Sequence, residues 1–370
     1  MSASSNASAA RAWVEIDLPA IDRNVGRIKQ ALPPHVRYVA VVKANAYGHG
    51  MPEVATRLLQ AGVDCFAVAN VAEAANLREI GHDADILLLS PTLPSELPRA
   101  LALGLDITLN SLDEAKALAA AAAKAGLKAK VHVKVDTGMG RAGVWHEHAA
   151  ELFAFVQVAG FEWRGVFTHF SDADSDPTYT AGQRAIFLKL LERIPAAVRS
   201  GLMIHADNSA GLESFSASAP FNAVRVGLMQ YGLPPSSGSF LASLRPEPVL
   251  SFHARVVLVK DLPAGTAVSY NRTKTLSRPT RVAIVGGRGG GGEPAFVDAA
   301  AVQAVGVGVV RMELDAEARL EEGARDPCGR EAEQAAGAGE FGGDLRGGVA
   351  FGGLELVDGV HGDLVRVAFF

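Results

Sequence analysis

Val36-Arg37-Tyr38-Val39-Ala40-Val41-Val42-Lys43-Ala44-Asn45-Ala46-Tyr47-Gly48-His49-Gly50 is an apolar run that ends on a lysine and passes into small residues and two glycines. A run of this length, nearly continuous in apolar types, reads as a strand buried on both faces. The same signature recurs at Cys65–Asn70, Ile86–Ser90, Asp106–Asn110, Ala129–Thr137, Trp163–Phe170, Leu202–Ala206 and Asn222–Gly227. Between the runs lie segments of helical period: Pro52–Ala61, Val71–Gly81, Glu96–Leu103, Leu112–Ala125, His146–Val158, Tyr179–Ile194 and a weaker one near Ala210–Phe215. Asn110-Ser111-Leu112-Asp113 opens one of them with a polar cap ahead of strong helix formers. Alternation alone also suits a doubly wound open sheet. Eight strand–helix units within 245 residues favour a closed α/β barrel of the (β/α)8, TIM type.

The whole chain is consistent with that. It has 370 residues, 49% hydrophobic and 20% charged, enough for a packed core and too apolar for a disordered chain. A formal charge of −5 argues against a nucleic-acid or anionic-membrane surface, either of which needs a basic excess. Two cysteines, Cys65 and Cys328, make no disulfide framework and read as reduced thiols. The opening residues, MSASSNASAARAWVEID, lack the apolar core of a secretion signal, and no run reaches the ~20 apolar residues of a membrane span. A cytoplasmic protein is expected.

In a parallel barrel the chemistry sits at the carboxyl ends of the strands. Lys43 ends the first run, Lys134 to Arg141 the fifth and His169 the sixth; Asn208 and Ser209 follow the seventh, and Arg225 lies in the eighth. A lysine closing an apolar strand is drawn out of water, which makes its free amine available as a nucleophile or base. That suits capture of an aldehyde cofactor, and pyridoxal phosphate is the one proteins hold in this way. Its phosphate would lie where the loops after strands seven and eight offer backbone N–H groups. His205-Ala206-Asp207-Asn208-Ser209-Ala210-Gly211 and Gly227-Leu228 stand there. His49 and His205 read as structural residues, Asp136 as one that positions its neighbours, and nothing points to a metal.

Taken with Lys134-Val135-Asp136-Thr137-Gly138-Met139-Gly140-Arg141, Thr168-His169-Phe170 and Ser269-Tyr270, these motifs resemble the alanine racemases, fold-type III pyridoxal-phosphate enzymes in which a β-domain follows the barrel. The resemblance runs from about Trp13 to about Val285. It implies a barrel over 13–245 and a β-domain over 246–370, with the Ala12–Asp17 strand joining the second. It further implies that Lys43 carries the cofactor and acts as one of two bases. Tyr270 would be the other, acting on the opposite face and reaching in from the second subunit of a homodimer. His169 and Arg225 would assist Tyr270, and Arg225 would bond the pyridine nitrogen. Arg141 would bind the substrate carboxylate, and Tyr47, Asn208, Ser209, Gly227 and Leu228 would hold the cofactor at its phosphate end. Lys134 matches a position that is carbamylated in some relatives. The implied reaction is interconversion of L- and D-alanine for peptidoglycan. The alternatives are a racemase of serine or lysine, or a catalytically weak cofactor-binding barrel; an acidic partner for the pyridine nitrogen, as in related decarboxylases, is replaced here by Arg225.

From about Gly286 the composition changes. Residues 281–370 hold 20 of the 39 glycines and no Ser, Thr, Asn, Lys or Tyr, the types that strands and turns ordinarily use. A divergent glycine-rich domain and a shifted reading frame both account for this. The loss of residues with A/T-rich codons favours the shifted frame. Arg311-Met312-Glu313-Leu314-Asp315 only faintly echoes the family's later Met-Asp pair.

Overall fold

The computed structural model describes residues 12–80, 83–215, 220–234, 240–268, 272, 274–285, 295–298 and 309–313. All eight runs form strands: β1 Arg37–Val41, β2 Cys65–Val68, β3 Asp85–Leu88, β4 Asp106–Leu109, β5 Lys130–Asp136, β6 Glu162–Phe167, β7 Met203–His205 and β8 Ala223–Val226. Each pairs in parallel with the next, and β8 pairs in parallel with β1, Ala223 opposite Arg37 and Val226 opposite Ala40. The ring is therefore closed, and the open doubly wound alternative falls away. Closure buries every residue of β2, β4 and β8, the charged Asp106 and Arg225 included.

Helices occupy the periodic segments at Met51–Gln60, Val71–Glu79, Leu97–Ala102, Leu112–Ala125, Ala149–Val158 and Pro177–Leu191. The Leu112–Ala125 helix illustrates why. Ser111 accepts the Glu114 N–H at 3.1 Å, Gly126 ends the helix in the left-handed conformation, and Ala115, Leu118 and Ala122 form its buried stripe. The weak segment near Ala210–Phe215 is a single 3-10 turn, Gly211–Ser214. A helix over Leu18–Ala31 was not anticipated. Asp17 caps it, and it buries Ile21, Val25 and Ile28, each contributing roughly 2 kcal/mol of apolar burial.

The described residues within Asp17–Val249 form one compact unit, and those within Met1–Ile16 and Leu250–Phe370 form another. The second is an antiparallel sheet around β9, Leu250–Leu262. The N-terminal strand Ala12–Ile16 pairs with β9 from Ala12 opposite Ala254 to Ile16 opposite Leu250, and Trp13 stacks on His253 at 5.4 Å. β10, Thr280–Val285, pairs with β9 across a register shift between Val256 and Leu258. Past residue 285 the described residues are two strands, β11 Ala295–Asp298 on β10 and β12 Val309–Glu313 on β9. Met312 stands opposite Phe252 in the latter pair. Among the described residues no helix is long and apolar enough to cross a membrane.

Candidate active site

β1 stops at Val41, two residues short of Lys43. The Val41 carbonyl is taken by Gln230 Nε2 at 2.9 Å and Tyr231 Oη at 3.1 Å. From Ala44 to Tyr47 the backbone then turns left-handed, with φ of 51, 54, 56 and 55°. Each such non-glycine residue costs about 1–2 kcal/mol, so the turn persists only because its surroundings hold it. Glu73 does so with both carboxylate oxygens, accepting the N–H groups of Ala44 and Ala69 at 2.8 Å each. Asn45 Oδ1 accepts the Met51 N–H at 2.8 Å. Lys43 heads this turn rather than closing the strand, and it is half-buried. Its Nζ lies 6.0 Å from the centre of the Tyr47 ring.

The other named residues gather beside it. Lys43, Tyr47, Arg141, His169, Asn208, Ser209, Arg225, Gly227 and Leu228 line one cavity of about 520 Å3, together with Lys134. Tyr270 and Ser269 lie outside the described residues. Among the described residues the lining carries four basic side chains, Lys43, Lys134, Arg141 and Arg225, against one carboxylate, Asp174. Such a cavity selects an anion, and the phosphate and substrate carboxylate that the sequence resemblance implies would meet that demand. The charges bear on one another. Burial, with Arg225 and Arg141 nearby, lowers the Lys134 amine to about 8. Burial also lowers Arg225 to about 10, which leaves it a cation at neutral pH.

Arg225 is held from several sides. Its Nη1 donates to His205 Nδ1 at 2.8 Å; its Nη2 donates to the Thr168 and Ala206 carbonyls at 2.9 Å and to His169 Nδ1 at 3.0 Å. A guanidinium only donates, so both histidines present an unprotonated Nδ1 to it. Desolvation and the Arg225 charge hold both rings well below the ordinary histidine range. His169 therefore brings a neutral hydrogen-bonding group to the cavity. His205 is more than a packing residue: it is a direct partner of Arg225.

Ser209 Oγ accepts the Gly227 N–H at 3.0 Å. A Cβ on Gly227 would stand 2.7 Å from Tyr47 Oη, so this position admits no side chain while the tyrosine is in place. Burial pushes the Tyr47 phenol up to about 12, so it meets a ligand as a neutral donor. Asp136 Oδ1 accepts the N–H groups of Gly138, Met139 and Gly140 at 2.9, 2.9 and 3.2 Å. That folds the turn leading to Arg141, the positioning work expected of it.

Residues 16–235 match the family described as alanine racemase, N-terminal domain, and residues 249–290 match alanine racemase, C-terminal domain. The chain belongs to the alanine racemase family. The alanine racemase of Desulfosudis oleivorans is 39% identical over 285 residues, covering 74% of this chain and 73% of the relative. That of Streptococcus pyogenes is 39% identical over 272 residues, 73% of each. Among solved structures, the alanine racemase of the D-cycloserine producer Streptomyces lavendulae superposes with a TM-score of 0.68 at 29% identity, covering 78% of this chain and 81% of that one. The alanine racemase of Bartonella henselae, solved with covalently bound pyridoxal phosphate, gives 0.66 at 26% identity over 75% of each chain. Alanine racemases are pyridoxal-phosphate enzymes, and membership makes this chain an isomerase of that class. The residues present fit the cofactor: an amine on a strained turn, a cationic cavity, and a glycine where a Cβ would strike Tyr47.

Proposed function

We propose that the chain racemises alanine with two bases, Lys43 on one face of the substrate and Tyr270 on the other, in a homodimer whose subunits each lend Tyr270 to the other's site. Convergence of Lys43, Arg141, His169 and Arg225 on one cationic cavity carries this reading. Bound pyridoxal phosphate supplies the electron sink that makes the substrate Cα proton removable. Racemisation needs a proton taken from one side of Cα and another delivered to the far side. Lys43 holds or accepts a proton on its side, and Tyr270 does the same on the other. Arg141 orients the substrate through its carboxylate. Arg225 offers the ring nitrogen a hydrogen bond and keeps its own proton, so the sink stays weak and side reactions are suppressed. Tyr47, Asn208, Ser209, Gly227 and Leu228 form the phosphate end.

We read the chain as a cofactor-binding barrel over 13–245 and a β-domain over 246–370; the two compact units, which break at Ile16/Asp17 and Val249/Leu250, support a division of this kind. The weak-barrel alternative is not favoured, because both family domains match. The product would feed peptidoglycan synthesis in the cytoplasm.

Borohydride reduction in the presence of pyridoxal phosphate should fix the cofactor on the peptide containing Lys43; label on Lys134 or Lys274 instead would sink the assignment. Chiral chromatography should show alanine racemised ahead of serine, lysine and arginine. Lys43→Ala and Tyr270→Phe should each be nearly inactive, and mixing them should restore activity in heterodimers. If subunits demonstrably exchange and no activity returns, Tyr270 does not act in the partner's site.

A further inference from the structure

Arg225 is the visible end of a longer polar chain. Because His205 gives its Nδ1 lone pair to Arg225, its proton sits on Nε2. That nitrogen lies 3.2 Å from His132 Nδ1, which must therefore accept, placing the His132 proton on its own Nε2. His132 Nε2 is buried and has no hydrogen-bond partner among the described residues; Asp106 Oδ2 stands 3.6 Å away. Both residues are almost wholly buried, His132 in the middle of β5 and Asp106 at the first position of β4, the end of the barrel away from the cavity. The barrel makes room for this. A Cβ on Gly165 would lie 2.4 Å from the His132 ring, so β6 carries a glycine where the imidazole passes.

We propose that His205 and His132 form a one-way polar chain through the barrel interior, a hydrogen bond between the two rings that is continued by the Asp106 carboxylate 3.6 Å beyond, with His132 and Asp106 acting as positioning residues for the Arg225 guanidinium. A buried imidazole can turn over, or move its proton, at little cost unless its second nitrogen is committed. Were His205 to carry its proton on Nδ1, two donors would face each other at 2.8 Å and Arg225 would be displaced. Asp106 Oδ2, 3.6 Å from His132 Nε2, opposes that, because an acceptor oxygen favours a proton on the nitrogen that faces it. Every proton in the chain consequently points away from the cavity. The inference rests on the proposed role of Arg225 toward the cofactor.

Nitrogen–proton correlation spectra of histidine-labelled full-length protein, recorded with and without pyridoxal phosphate near neutral pH, read the tautomers directly. His205 and His132 should both be neutral with the proton on Nε2; a proton on Nδ1 of either ring, or a doubly protonated ring, overturns the proposal. This measurement needs no variant at Asp106 and does not depend on which lysine binds the cofactor, so its failure is separable from failure of the borohydride test. In the holoenzyme, Asp106→Leu should lower kcat by about tenfold or more with the KM for alanine little changed. Asp106→Asn, which keeps an acceptor oxygen, should retain most of the rate. Equal losses in the two variants, or a kcat unmoved by Asp106→Leu, would count against the chain.

Discussion

Lys134 is 6% exposed and stands among Arg225, Arg141 and Lys43, with the Phe167 ring centre 5.7 Å from its Nζ. Its ordinary value of 10.5 falls to about 8 in the folded chain. Between those values the unfolded chain keeps a proton that the folded chain has shed, so stability rises with pH across that window. Below about 8 both states are protonated and the combined cost of burial and of the neighbouring cations stands in full, about 3 kcal/mol from the size of the shift. Lys134→Met keeps the length of the side chain and removes the charge. It should raise the urea midpoint of the cofactor-free protein at pH 7, with a gain that shrinks as pH rises toward 10.5. An equal gain at both ends of the range would mean that packing, not charge, sets the cost. The same low value makes the amine a candidate for reaction with carbon dioxide, which requires the neutral form.

The left-handed turn after β1 is the most strained element described. Ala44 is exposed, so a substitution there tests the backbone with little disturbance of the core. Ala44→Gly should be neutral or slightly stabilising, because relief of about 1–2 kcal/mol of left-handed strain is offset by the flexibility glycine gives the unfolded chain. Ala44→Val, β-branched at φ 51°, should lower the thermal midpoint and weaken cofactor binding together. If Val is tolerated without loss of either, the turn does not position Lys43. This element also marks the limit of what the sequence discloses. The eight strands were legible because a closed barrel buries both faces and demands near-continuous apolar runs. The turn was not, since Ala44, Asn45, Ala46 and Tyr47 carry no glycine to announce positive φ. The Leu18–Ala31 helix was overlooked although its stripe Ile21, Val25, Ile28 is regular; it precedes the first strand, so the strand–helix alternation did not call for it. The site residues were legible through motifs and their order. The His205–His132 contact was not, because it joins residues 73 positions apart on two strands that are not neighbours and meet across β6 inside the ring.

All nine described site residues fall within Asp17–Val249, the unit with its own closed core. A fragment of residues 17–249 should therefore fold and capture pyridoxal phosphate on Lys43 without racemising, since Tyr270 lies beyond it. Circular dichroism with borohydride mapping checks this; a fragment that is unfolded, or folded without label, would show that the barrel depends on the rest of the chain. The N-terminal strand has a different history. Ala12–Ile16 is made before the barrel, yet its hydrogen-bonding partner, Leu250–Leu262, is made after all of it. At typical elongation rates that interval is on the order of tens of seconds. Throughout it, the growing chain trails a solitary β-segment with free amides, a template for pairing with neighbouring nascent chains on the same messenger. Closely spaced ribosomes and slow translation through the barrel thus become hazards to yield, and a holdase that covers this segment would ease them.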